Sequence, residues 1–274
     1  MYTNMKVIHF ASFLLVVFVF SSCSSSYKEY SEKGYAKMQK EDYLTAKAYY
    51  DTAILNYDKD STCYYNRGVC QHNLGNYTEA ILDYSKAIEL SPDIAEYYLN
   101  RGDSKYSKEN YNESIVDFSK AIELKPNYAK AYLFRGDAYY KSKNYEACKL
   151  DYNKVIELAP TANVYLLRGN VSYVQKMYNA AALYYTKAIA LDPNYAKAYM
   201  YRGDSRDNMN KSAEAIEDYN KAIEIDPEYA AAYYNRGIAR KYSKDKEGAC
   251  ADFKRAIELG DKKAKDESDL LLCN

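Results

Sequence analysis

The sequence predicts an all-α solenoid of stacked helical hairpins, and three observations carry that prediction. An Arg-Gly pair recurs at Arg67-Gly68, Arg101-Gly102, Arg135-Gly136, Arg168-Gly169, Arg202-Gly203 and Arg236-Gly237, with Lys33-Gly34 as a fainter first copy. Successive glycines are separated by 34, 34, 34, 33, 34 and 34 residues in a chain with only ten Gly, which marks internal repeats. Each glycine has a tyrosine four residues before it, so ring and glycine share one helix face. The composition, 48% hydrophobic and 28% charged with five Pro in 274 residues, is that of a folded chain far from disordered or fibrous extremes.

Residues 1–22 read as an export signal. Lys6 supplies positive charge, and Val7 to Phe20 form a largely apolar run of 14 residues, inside the range of a signal core and short of the roughly 20 that span a bilayer. Ser21 and Ser22 before Cys23 resemble the lipobox of bacterial lipoproteins, in which that cysteine is lipidated and becomes the mature N-terminus. The alternative is an unmodified Cys23 behind a plain signal or a short anchor. On the lipoprotein reading, residues 23–26 are the lipidated cysteine and its tether, and several acyl chains on one residue hold the protein firmly. The expected location is the bacterial cell envelope, on the periplasmic face or the cell surface.

Aligned on the glycines, the chain divides into seven units over 27–60, 61–94, 95–128, 129–161, 162–195, 196–229 and 230–263. Each reads as two antiparallel helices. On the second helix Ala53, Ala87, Ala121, Ala188, Ala222 and Ala256 keep a small side chain at one place, with Val155 as the bulkier exception, and an Ile follows each time. Pro92, Pro126, Pro160, Pro193 and Pro227 close their units because proline cannot donate to the preceding turn. The single deletion falls just after Pro160, in the turn between units. In the second unit Tyr64, Arg67 and Gly68 are followed by Ala80, Tyr84, Ala87, Ile88 and Pro92, and this series resembles the tetratricopeptide repeat. The resemblance covers residues 27–263 and implies a right-handed superhelical solenoid of seven helix-turn-helix units. Residues 264–274, charged and ending near Leu270, Leu271 and Leu272, are expected to form the capping helix that the last hairpin needs.

Asp83, Asp117, Asp151, Asp218 and Asp252 each lie 16 residues after Arg67, Arg101, Arg135, Arg202 and Arg236, with the turn midway. Residues equidistant from the turn of a hairpin are level, so five Arg-Asp pairs are predicted within units, while Arg168 faces Tyr184. Cys63 and Cys70, about 10 Å apart on one helix, are too far apart to bridge. Cys148 replaces the Ala or Ser of other units and is expected to pack as a small hydrophobe. Cys250 and Cys273 become nearly level if the cap folds back, which is compatible with a disulfide that pins the cap and with two separate thiols.

Function classes narrow by chemistry. Lys plus Arg equals Asp plus Glu at 38 each, and without residues 1–22 the balance is 37 to 38, so no uniform field is available for nucleic acid. The chain beyond residue 22 keeps one histidine, His72, expected to be a surface or packing residue, so His-based triads and multi-histidine metal sites cannot be assembled. No Gly-rich phosphate loop is present, and neither an enzymatic centre, a metal nor a cofactor is expected.

In tetratricopeptide proteins the first helices line a concave groove for peptide partners, and the resemblance implies that role here. The positions three before, one after and four after each Gly share a face. They read Leu99, Asp103, Tyr106 in the third unit and Leu133, Asp137, Tyr140 in the fourth. Leu166, Asn170, Tyr173 follow in the fifth, and Met200, Asp204, Asp207 in the sixth. Family members that grip a C-terminal carboxylate use Asn and Lys here, so a groove with Asp in this row is expected to take a neutral or basic polypeptide segment. The reading is a non-enzymatic, lipid-anchored protein-interaction scaffold. The alternatives are a component of an envelope assembly or transport machine and a surface glycan-binding lipoprotein, the last disfavoured by the absence of Trp.

Overall fold

The computed structural model describes residues 26–271 and 273, which form α-helices and no strand. The signal segment, Cys23 and the first tether residues lie outside the described residues. Two compact units meet between Ser142 and Lys143, inside the fourth repeat. The first holds α1 (residues 26–38), α2 (Tyr43–Asn56), α3 (Ser61–Asn73), α4 (Tyr77–Leu90), α5 (Ala95–Ser107), α6 (Tyr111–Leu124) and α7 (Ala129–Lys141). The second holds α8 (Tyr145–Leu158), α9 (Ala162–Val174), α10 (Tyr178–Leu191), α11 (Ala196–Asp207), α12 (Ser212–Ile225), α13 (Ala230–Tyr242), α14 (Lys246–Glu258) and α15 (Lys263–Leu270). Ser26, drawn as the last tether residue, belongs to α1, where its hydroxyl accepts from Asn56 Nδ2 at 3.2 Å.

In each unit consecutive helices pack antiparallel as hairpins, and each hairpin packs on the next. First helices also touch first helices, α3 on α5 and α5 on α7 in one unit and α11 on α13 in the other. This layer of first helices is the inner face on which a partner was expected. The second helices that lie ahead of a proline stop two residues before it, as at Leu90 ahead of Pro92 and Leu124 ahead of Pro126. Between the helices of every hairpin one residue takes positive φ: Glu41 (57°), Gly75 (80°), Glu109 (62°), Lys143 (62°), Lys176 (59°), Asn210 (60°) and Lys244 (65°). Left-handed backbone favours glycine, and only one of the seven turns has it.

The repeat glycines do a specific packing job. A Cβ built on Gly68 would lie 2.8 Å from Tyr84, one on Gly102 2.7 Å from Phe118, and one on Gly203 2.6 Å from Tyr219. In each case the second-helix ring, 16 residues on, lies flat against the first helix and is fully buried. The tyrosine four before the glycine does something else: its ring lies beneath the Arg, with 5.6 Å from the Arg67 guanidinium to Tyr64 and 5.4 Å from Arg202 to Tyr199.

Four of the five predicted Arg-Asp pairs lie inside one unit, and all four form. Arg67 donates to Asp83 through Nε at 2.9 Å and Nη2 at 2.6 Å, and Arg101 to Asp117, Arg202 to Asp218 and Arg236 to Asp252 do the same. The fifth has one member in each unit, Arg135 in the first and Asp151 in the second. Arg168 lies 4.5 Å from the Tyr184 ring, as its different partner required.

The cap is shorter than the expected 264–274. The helix ends at Leu270 because the chain must turn there to bring Cys273 back to Cys250, to which it is disulfide-bonded with Cα atoms 5.4 Å apart. Ala264 and Leu271 pack on the α13–α14 cluster, and Lys241 Nζ holds Glu267 at 2.7 Å. Cys63, Cys70 and Cys148 are buried thiols outside the disulfide.

Candidate partner-binding surface

The predicted inner-face rows separate into core and surface. Leu99, Leu166 and Met200 were expected to line a groove, but each is at most 5% exposed and belongs to the core. The reason is the contact between first helices. An aliphatic three residues before the glycine points between two neighbouring hairpins, so Leu99 fills the space between Phe118 and Ala131, and Met200 that between Tyr219 and Ala232. Leu133 is half-buried, as are Asp103, Tyr106, Asp137, Tyr140, Asn170, Tyr173, Asp204 and Asp207. The surface row is therefore acidic and tyrosine-rich, with Leu133 alone of its four aliphatics outside the core.

In the first unit Asp103 Oδ2 lies 3.8 Å from His72 Nε2, and His72 Nδ1 is 2.8 Å from Ser104 Oγ. His72 thus ties the second hairpin to the third. Burial pushes the Asp103 carboxyl above its usual range. Tyr106 meets Tyr111 edge-on at 5.3 Å, and burial together with the Asp137 carboxylate pushes its hydroxyl up to about 12. A cavity of about 500 Å³ opens on the first helices of the first three hairpins, with Tyr35, Tyr65 and Tyr97 as walls and Glu32, Asn66 and Glu96 among its polar groups. Tyr65 stacks on Tyr97 at 4.8 Å and its hydroxyl accepts from Asn100 Nδ2 at 2.9 Å, while Tyr35 remains 53% exposed. Sequence reasoning stopped its rows at the third unit and missed this site. The signal was in the same frame: Tyr35 follows Gly34 by one, and Tyr65 precedes Gly68 by three.

In the second unit three predicted residues converge. Tyr173, Asp204 and Asp207 line a cavity of about 210 Å³ with Asn208, Tyr219 and Asn235. Asp204 Oδ1 accepts from Tyr219 Oη at 2.9 Å, across its own hairpin, and from Asn235 Nδ2 at 2.8 Å on the next. Burial pushes its carboxyl up to about 6, against the pull of those two donors, and Asp207 adds to the rise. Asp207 accepts from Ser212 Oγ at 2.9 Å, and Asn208 Nδ2 donates to Tyr173 Oη at 3.1 Å. Asn170, one hairpin earlier, is occupied by the Tyr185 hydroxyl at 2.9 Å. Among the described residues no cluster of three His, Cys, Asp or Glu is arranged to hold a metal ion.

Models of the tetratricopeptide repeat match the chain at residues 61–94, 102–143, 129–162, 162–195, 184–217, 208–241 and 230–259. No curated protein matches it in sequence. Among solved structures it is similar to a tetratricopeptide repeat protein from Parabacteroides merdae, with TM-score 0.66 and 23% identity over 90% of this chain and 99% of that one. The C-terminal part of a repeat-containing protein from Cytophaga hutchinsonii gives TM-score 0.71 at 19% identity, over 90% and 98%. YrrB, described as having an unusual peptide-binding site, gives TM-score 0.57 at 24% identity, over 68% and 97%.

Proposed function

Because the chain belongs to the tetratricopeptide-repeat family, whose members serve as protein-interaction scaffolds, we propose that it holds a neutral or basic polypeptide segment of a partner on its first-helix face, from a lipid anchor at Cys23 in the bacterial cell envelope. The observation that carries this reading is the cavity walled by Tyr35, Tyr65 and Tyr97 and flanked by Glu32 and Glu96. Rigid aromatic walls bury side chains at small entropic cost, and carboxylates beside them favour cationic or neutral residues over acidic ones. The description of YrrB as a peptide-binding repeat protein supports the same use of the fold. The family fold works by presenting surface, which supports a non-enzymatic role. Two features support the location: the apolar segment ending at Cys23, and the Cys250–Cys273 disulfide, a bond that persists in oxidising compartments.

The test is a photo-crosslinking residue at position 65 in intact cells, followed by mass spectrometry, with position 89 on the outer side of α4 as control. A protein captured at 65 and absent at 89 is the expected result, and recovery of no protein at 65 refutes the reading. Labelled palmitate should enter the wild type and be lost in Cys23→Ala; label that persists in the variant overturns the anchor.

A further inference from the structure

The buried aspartates of the Arg-Asp pairs have a guanidinium: Asp83, Asp117, Asp218 and Asp252 are each held by the Arg of their own hairpin, and Asp117, Asp218 and Asp252 also by Lys105, Arg206 and Arg240. Asp204 has no such partner. Its two side-chain donors, Tyr219 and Asn235, are neutral, both reach Oδ1, and no cation lies within ion-pair distance among the described residues. Of the three cations of its own helix, Arg202 and Arg206 both turn to Asp218, and Lys197 is exposed at the start of the helix, two turns away. From the neighbouring helices it faces Tyr173 on α9, Tyr219 on α12 and Asn235 on α13, with Tyr229 at the entry to α13, and beside it on α11 stands Asp207. Two carboxylates and a tyrosine oxygen thus share a 210 Å³ cavity on the inner face, and no cation among the described residues pairs with them.

Desolvating a carboxylate without a counter-charge is costly, and elsewhere the repeat avoids it. We infer that the cavity at Asp204 is a receptor for a lysine side chain of the bound partner, whose ammonium is held by Asp204, Asp207 and the Tyr173 hydroxyl. An ammonium is a compact charge with three rotatable donors and matches three convergent oxygens, whereas a guanidinium needs a flat bidentate edge. The inference rests on the scaffold reading and specifies what the second unit selects. Capture requires the ionised carboxylate, so a proton competes with the lysine.

The test is fluorescence anisotropy of a labelled, alternating Lys-Ala peptide and its Gln-Ala counterpart on the full chain, with the variants Asp204→Asn and Asp207→Asn and circular dichroism as fold control. The Lys peptide should bind the wild type with constant affinity above pH 7 and lose about tenfold per pH unit below 6. Asp204→Asn should weaken it at least about tenfold at pH 7.5 and abolish the pH dependence, the size expected for losing a charge-assisted contact. Should Asp204→Asn fail to fold, Asp207→Asn and the wild-type pH profile decide. Equal binding of both peptides to wild type and variant overturns lysine capture and leaves the scaffold reading standing. Absence of binding by either peptide overturns lysine capture as well, and the crosslink at position 65 then judges the scaffold reading independently.

Discussion

Asp117→Ala should destabilise the first unit by about 3 kcal/mol, as follows from what the carboxylate holds. Asp117 is 3% exposed and receives Arg101 through Nε at 2.9 Å and Nη2 at 2.6 Å, and Lys105 Nζ at 2.8 Å. Removing one partner of a buried pair costs about 3–5 kcal/mol because the other charge is left desolvated. The low end applies here. Arg101 is 19% exposed and its Nη1 still reaches Ser85 Oγ at 3.0 Å, so water and one hydroxyl recover part of the loss. Glu123→Ala is the control. It breaks a 2.6 Å pair with Lys120, but the side chains are 68% and 38% exposed, and such helical pairs contribute only about 0.3–0.5 kcal/mol. Equilibrium urea unfolding followed at 222 nm, with hydrogen exchange of the α5 and α6 amides, measures both. A loss below about 1 kcal/mol for Asp117→Ala, or one equal to that of Glu123→Ala, refutes the argument that burial makes this pair strong.

Four further outcomes are expected. Lys244→Gly, at an exposed turn residue with φ of 65°, should stabilise by about 0.5–1 kcal/mol, read as a rise in Tm, since glycine adopts this backbone without the Cβ contact. Cys273→Ser opens a bridge spanning 23 residues, worth about 3 kcal/mol of chain entropy, and hydrogen exchange should accelerate in α15 while α3 to α6 are unaffected. Burial pushes the Cys63 thiol up to about 11 and Cys70 to about 12, so at pH 8 both are protonated, and maleimide should label them only after denaturation. Asn220→Ala removes the 2.6 Å bond from Arg236 Nη1 on α13 to α12 and leaves Arg236 on Asp252, so it should cost about 1 kcal/mol and show as faster hydrogen exchange at the α12–α13 contact, with the Arg236–Asp252 pair inside the α13–α14 hairpin kept.

Much of this fold was legible because its determinants are identities at fixed spacing. The Arg67–Asp83 pairing recurs in Arg101–Asp117, Arg202–Asp218 and Arg236–Asp252, and a constant separation of 16 about a turn translates directly into contact. What escaped is specified by geometry with variable residues. The left-handed turn position is Glu109, Lys143 or Lys244, residues that otherwise favour helix, so no glycine marks it. Leu99 and Met200 looked like groove residues because periodicity gives the face but not the neighbour. Only the approach of the next first helix, at Ala131 or Ala232, decides that they are core. Asp204 was placed on the first-helix face by its spacing from Gly203. That it lacks a cation could not be seen until Arg202 and Arg206 were known to point to Asp218.

The same arginines also tie neighbouring hairpins together within each unit. The guanidinium groups of Arg67, Arg101, Arg202 and Arg236 spend Nε and Nη2 on the aspartate 16 residues later, and these four together with Arg135 turn Nη1 backward to the residue 16 earlier, on the preceding hairpin. The acceptors are Asp51 for Arg67, Ser85 for Arg101, Ser119 for Arg135, Thr186 for Arg202 and Asn220 for Arg236. The backward acceptor changes in chemistry, from carboxylate to hydroxyl to amide, because it needs only one lone pair, whereas the forward partner must match two donors and stays Asp. The fifth repeat confirms the division of labour by breaking it. One residue is missing between α8 and α9, Arg168 reaches back only 15 residues to Asn153 Oδ1, and it does so with Nε. Its Nη1 then turns to Ser172 on its own helix and the guanidinium lies on Tyr184 in place of a carboxylate. Burial without that carboxylate lowers its pKa, the opposite of Arg67. Register between neighbouring hairpins and charge compensation within them therefore pass through the same guanidinium, and the single deletion falls where the aspartate has been exchanged for an aromatic face.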